Sequence, residues 1–254
     1  MRNIGLQLYT ARETIKTDGL IPVLKQVADM GYHGIEGGGF MGAMPAKELR
    51  NVLDDLGLKY VSGHIGMEQV TGGFESVLED SVVLGAKYVG LAYLAEEHRK
   101  DAAGWMRSGA AMEKAAVQAN KHGLTFFYHN HAFEFEKFDG VYGFDILFDN
   151  TDAALLKSEL DVYWVKKGGA DLAAYLRKMD GRAPLVHLKD MTGDGKEFFE
   201  IVGDGILDFD AVFKAGDETH VDWYLVEQDV CPHGELFSAR KSFANIKARG
   251  WLGE

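Results

Sequence analysis

Leu124-Thr125-Phe126-Phe127-Tyr128-His129-Asn130-His131 is an apolar run that ends in two imidazoles. It follows Gly123 and reads as a short buried strand. Side chains alternate along a strand, so His129 and His131 point one way and Asn130 the other. Packing alone explains such a pair poorly, because histidine is not a preferred core residue and both rings need hydrogen-bond partners. Two satisfied loop histidines are the plain alternative.

Outward from this stretch, short apolar runs alternate with longer amphipathic ones. Strand-like runs precede it at 4–9, 34–36, 59–64 and 88–92 and follow it at 155–161, 184–188 and 223–227. Between them apolar residues take helical spacing, as in Leu20, Val23, Leu24 and Val27. The stretches 20–30, 46–56, 74–84 and 101–122 each precede a glycine, where a helix C-cap belongs. Further helices are expected at 171–179, 209–214 and 235–249. Recurring strand–helix units with short turns imply parallel strands and right-handed crossovers. Eight units in 254 residues predict an α/β protein: one domain, 1–254, folded as a closed (β/α)8 TIM barrel. An open doubly wound sheet is the runner-up, but its Gly-x-Gly-x-x-Gly turn after the first strand is missing.

Composition narrows the function classes. With 27 Lys and Arg against 39 Asp and Glu, the net charge is −12, which disfavours bulk nucleic-acid binding. Cys231 is the one cysteine, so an intrachain disulfide and a Cys-rich metal site are excluded. The N-terminus lacks the apolar core of a signal peptide, and no run approaches a membrane span. A soluble, cytoplasmic protein is expected.

In a TIM barrel, chemistry sits at the C-terminal ends of the strands. Those ends carry Glu36, His64, His129 with His131, Asp161, His187 and Glu227. His129, Asp161, His187 and Glu227 come from four consecutive strands and form a mixed nitrogen and oxygen set suited to one divalent cation: Mn, Zn, Mg or Fe. Each has a plain reading too: Asp161 as a helix N-cap, Glu227 as a solvated turn residue, His187 bonded to a carbonyl. Jointly these require four coincidences at one place, so a metal site is favoured. The segment from His131 to Glu134 leaves a strand and is no helical zinc motif.

These residues carry a family resemblance. Ile4-Gly5-Leu6-Gln7-Leu8-Tyr9, Gly31-Tyr32-His33-Gly34-Ile35-Glu36, Tyr128-His129-Asn130-His131, Leu160-Asp161-Val162-Tyr163-Trp164, His187-Leu188-Lys189-Asp190, Val202-Gly203-Asp204-Gly205 and Val226-Glu227 span essentially the whole chain. Together they resemble the sugar phosphate isomerase/epimerase family of xylose isomerase-like barrels. That family is related to AP endonuclease, inosose dehydratase and dehydroshikimate dehydratase. The resemblance implies one divalent metal, with Asp161, His187 and Glu227 at three ligand positions. Many members have Glu as the first ligand; here His129 stands there, with Glu134 as the substitute candidate. A histidine two residues after the first ligand is acid/base in the dehydratases, and His131 takes that place. The two-glutamate proton exchange of the epimerases lacks one partner here, Glu227 being the other. A homodimer is common among relatives.

The expected chemistry is proton abstraction next to the carbonyl of a keto-sugar or cyclitol, through a metal-stabilised enediolate. His131 is the first choice for moving the proton. Glu134, Glu227 and Lys189 are further catalytic candidates, Lys189 pairing with an oxyanion or simply with Asp190. Glu36, His64, Trp164, Tyr9 and Phe40 are substrate-side candidates. Reprotonation gives isomerisation or epimerisation, the first reading; loss of a β-hydroxyl gives dehydration, the alternative. Phosphodiester cleavage and a non-catalytic sugar-binding barrel are the rivals from other classes.

Overall fold

In the computed structural model of the protein, residues 1–37, 44–72 and 74–253 are described. Eight strands close into a barrel in which every neighbouring pair is parallel. They are β1 (Asn3–Gln7), β2 (Gly34–Gly37), β3 (Lys59–Ile65), β4 (Tyr88–Leu91), β5 (Thr125–His129), β6 (Leu156–Asp161), β7 (Leu185–Leu188) and β8 (Trp223–Val226). Spatial order follows chain order, with β8 beside β1. Helices separate the strands, among them Leu20–Met30, Ala46–Leu56, Phe74–Leu84, Ala102–Lys121 and Glu235–Ala248. The predicted TIM barrel is therefore the observed fold.

Two cores follow from strand alternation. Outward residues such as Ile4, Phe126, Tyr128 and Val186 pack beneath the helices, whose inner faces bring residues such as Val23, Leu24 and Val27. Inward residues Val61, Tyr88, Phe127, Leu185, Trp223 and Leu225 plug the lower barrel. The chain reverses from helix to strand at Gly31 (φ 100°), a left-handed position that favours glycine. Gly90 on β4 faces Phe127 so closely that an added Cβ would strike both its ring and its backbone carbonyl.

Three departures from the sequence reading matter for the site. β1 ends at Gln7, and Leu8–Ala11 is a 3-10 turn, because the Gln7 side chain accepts the Tyr9 N–H at 3.1 Å. β3 carries an extra residue: Ile35 pairs with Tyr60 but Glu36 with Ser62, which aims the Ser62 hydroxyl at Glu36. The long connection after β7 begins with a hairpin, Asp190–Met191 against Phe199–Glu200. Asp190, 1% exposed, gathers the rest of this connection by accepting backbone N–H bonds from Met191, Gly203, Gly205 and Leu207 at 2.8–3.0 Å. The Val202–Gly205 motif is thus tied down by its own strand end.

Gly90→Ala is expected to lower the unfolding free energy by about 1–3 kcal/mol, the usual overpacking penalty, in urea denaturation. Adding Phe127→Leu should not restore it, since the carbonyl remains in the way; full recovery would contradict this packing.

Candidate active site

The inward residues nearest the C-terminal ends of the strands are polar, and alternation places them in two tiers. In the upper tier, His129 ends β5, Asp161 ends β6, His187 lies in β7 and Glu227 follows β8. All are 5% exposed or less. One donor atom from each lies within 4.8 Å of the others. His129 Nε2 and His187 Nδ1 are both 3.9 Å from Asp161 Oδ2, and His187 Nδ1 is 2.8 Å from Glu227 Oε2. Lys189 Nζ completes the tier, 3.1 Å from Asp161, 2.7 Å from Glu227 and 2.9 Å from Asp229. It does not pair with Asp190, whose oxygens take backbone N–H groups instead.

Asp161 meets both of its readings at once. Its Oδ1 accepts the Trp164 N–H at 3.1 Å and caps the helix Val162–Lys167. Its Oδ2 is buried, lies 3.1 Å from the Lys189 ammonium and faces the imidazoles at 3.9 Å. Asn130, on the opposite side of the chain from His129, ties the two strand ends together by accepting the Asp161 N–H at 2.9 Å.

The lower tier holds Gln7, Glu36, Ser62, His64 and Glu159. No motif singles out Glu159 in the sequence; the available signal is its place two residues before Asp161 on the same strand face. It is fully buried, and its Oε2 lies 2.5 Å from His64 Nε2 and 3.1 Å from both His129 Nδ1 and His187 Nε2. Glu36 Oε1 takes Gln7 Nε2 at 2.6 Å and faces His187 Nε2 at 2.7 Å, while its Oε2 takes Ser62. Glu36 and His64 therefore have protein groups as partners, one tier below the mouth.

His131 stands apart from this lattice. Its ring lies parallel to Phe133 (9°, 5.3 Å), with Trp164 at 5.4 Å and the edge of Tyr93 at 5.4 Å. Its Nδ1 is buried with no hydrogen-bond partner, as is Trp164 Nε1. Tyr93, 49% exposed, is a wall residue that strand-end reasoning missed because it lies in the loop after β4. Glu134 turns away from the cluster: Tyr128 Oη donates to it at 2.5 Å and the His131 N–H at 2.8 Å. Tyr9 lies at the rim over the Arg12 guanidinium (4.1 Å). Phe40 falls outside the described residues.

Burial and neighbours set the protonation pattern. Burial holds His129 down to about 3 and His131 well below the usual imidazole range, His129 and Lys189 adding to the effect on His131. Burial would also lower His187, but Glu159 and Glu36 raise it well above that range. Burial pushes Asp161 up to about 6 against the pull of Lys189. Glu227 is held well below the carboxylate range, where Lys189 and His187 outweigh its burial. Glu134 is pushed up to about 8 by burial.

The upper tier fits a divalent cation. It offers two imidazole nitrogens and two carboxylates from separate strands, both carboxylates also paired with the Lys189 ammonium. Its 3.9 Å gaps approach the roughly 3.3 Å between neighbouring donors around a tetrahedral ion. Glu159 also makes a four-donor group with His64, His129 and His187, in which hydrogen-bond contacts join three imidazoles to one carboxylate oxygen; the upper tier has one such contact, His187 to Glu227.

Residues 24–245 match the xylose isomerase-like TIM barrel family. The chain belongs to that family. This xylose isomerase-like barrel is 27% identical over 226 residues to inosose dehydratase of Clostridium perfringens, covering 82% of the chain and 68% of that protein. It superposes on a sugar phosphate isomerase/epimerase structure from Parabacteroides distasonis with a TM-score of 0.84, at 23% identity, over 99% and 95% of the two chains. It also superposes on a zinc-containing structure of the IOLI protein (TM-score 0.75, 16% identity, 98% and 97% covered).

His187→Ala and Asp161→Asn are each expected to abolish stoichiometric cobalt or zinc binding while far-UV circular dichroism stays unchanged; retained binding in either would remove that residue from the metal set. Because His187 holds a proton at neutral pH and Asp161 takes one below about 6, metal must displace them. Affinity should rise as pH climbs through about 6, and calorimetry in buffers of differing ionisation enthalpy should show proton release. A buffer-independent heat would contradict this.

Proposed function

We propose that this chain is a metal-dependent enzyme that removes a proton from the carbon next to the carbonyl of a keto-sugar or cyclitol. The observation that carries the reading is His131. It is a neutral imidazole with a free, buried nitrogen, walled by aromatic rings and adjacent to a four-donor metal set. His129, Asp161, His187 and Glu227 would hold the divalent cation, which when bound supplies Lewis-acid stabilisation of negative charge on a substrate oxygen.

The chain's own residues do the rest. His131 Nδ1 takes the proton, being unprotonated near neutral pH. The imidazolium so formed is disfavoured by burial and by Lys189, so it hands the proton on readily. Lys189, held by three carboxylates, keeps a fixed positive charge beside the oxygen that gains electrons. Phe133, Trp164 and Tyr93 exclude water and offer an apolar face to the C–H side of a sugar ring. Trp164 Nε1, buried without a partner, can donate to a substrate hydroxyl.

After proton removal, the enediolate either returns a proton to carbon, giving isomerisation or epimerisation, or expels a β-hydroxyl, giving dehydration. A single free imidazole favours dehydration, because one group can take the α-proton and then protonate the departing hydroxyl. The inosose dehydratase relatives support the same outcome. Glu227 is the second base that epimerisation would need, and it is committed to His187 and Lys189.

The test is incubation of the metal-loaded protein with a panel of keto-sugars and inososes in deuterated water. Deuterium uptake with loss of water is the expected result; uptake without loss of water selects isomerisation or epimerisation, and no exchange with any compound sinks the proposal. His131→Ala should keep one metal per chain and lower turnover by roughly 10²–10⁴-fold, the usual contribution of a general base. Unchanged turnover would remove His131 from the mechanism.

A further inference from the structure

Resting on the metal reading of the upper tier, we infer that Glu159 is a positioning residue: by accepting the Nδ1–H of His129 from below, it turns Nε2 of that ring towards Asp161 and so builds the metal set. The geometry has one direction. A histidine presents two nitrogens on opposite edges of a flat ring, and a hydrogen bond at one edge decides what the other can do. His129 Nδ1 has Glu159 Oε2 at 3.1 Å, and its Nε2 has Asp161 Oδ2 at 3.9 Å. His187 is arranged in the same sense. Its Nε2 faces Glu36 Oε1 at 2.7 Å and Glu159 Oε2 at 3.1 Å, while its Nδ1 faces Glu227 and Asp161. The lower carboxylates thus face one nitrogen of each imidazole ligand and leave the other for the cation.

Glu159 is spent on imidazoles, His64 among them at 2.5 Å. It is fully buried inside the barrel, away from solvent and from the helical layer. Its Oε2 collects three ring nitrogens, and its Oε1 has no hydrogen-bond partner. A buried carboxylate that only filled space would be replaced at little loss by an apolar side chain of similar volume. One that aims imidazoles would not, because outer carboxylates of this kind typically change metal affinity 10–100-fold.

The experiment compares wild type, Glu159→Leu and Glu159→Gln for cobalt(II) affinity and for the visible cobalt spectrum. It adds long-range ¹H–¹⁵N correlation of the histidine rings in the wild-type protein. Glu159→Leu should bind cobalt about 10–100-fold more weakly, with an altered spectrum. Glu159→Gln, which keeps an acceptor at the Oε2 position without its charge, should fall between. In the metal-free wild type, His129 should carry its proton on Nδ1; in the zinc-loaded protein, His129 Nε2 and His187 Nδ1 should show ligated shifts. If Glu159→Leu does not fold, the ring assignments in wild type decide. Equal affinity and spectra across the three proteins, a proton on His129 Nε2 instead, or two metals per wild-type chain with one lost in Glu159→Leu would overturn the inference. A wild type that binds no cobalt overturns the metal reading itself, a different result from normal binding that ignores Glu159.

Discussion

A carboxylate inside a barrel is stripped of water, and it keeps its charge only where cations or N–H donors replace that water. Glu159 meets this condition by drawing in imidazoles, whereas Glu36 collects His187, Gln7 and Ser62 while burial and Glu159 push its carboxyl up. The upper tier stands on that exchange. Remove the lower carboxylates and the imidazoles lose the contacts that fix their orientation. The apolar plug beneath, from Val61 to Leu225, has the complementary role of sealing this network from the opposite end of the barrel. Polar function and hydrophobic stability are thus stacked along one axis, a few residues apart on the same strands.

Much of this was legible because strands alternate. The polar residues at successive strand ends announced a shared mouth, and His129, Asp161, His187 and Glu227 do meet there. What alternation could not show was depth. Glu36 and His64 sit one tier lower than a strand-end count suggests, since the β3 bulge and the early end of β1 change how far each strand reaches. Glu159 escaped notice because an acidic residue in a strand ordinarily marks a solvent face; in a closed barrel the inner face is buried, so the same residue marks a site. Glu134 takes a direction that strand alternation does not supply. The chain turns into a 3-10 segment after His131, and that turn carries the carboxylate back to Tyr128.

Asp161 shows why single-residue alternatives need not exclude each other. One oxygen caps a helix and the other faces the upper-tier imidazoles, so the helix that brings Trp164 to the wall is anchored on a carboxylate of that tier. Any movement of that carboxylate is felt by the wall.

The Asp190 clamp has an engineering consequence. It holds the connection after β7 from its base, through backbone N–H groups of residues on both sides of the hairpin tip. The tip itself, residues 192–198, takes no part in that anchorage, yet Tyr163 Oη donates to the Glu197 carbonyl and Phe199 stacks on Tyr163 beside Trp164. The tip is therefore joined to the wall through Tyr163 and not to the clamp. A change in its length or sequence is felt at Tyr163 and Trp164, while Lys189, one residue upstream of the clamp, keeps its place.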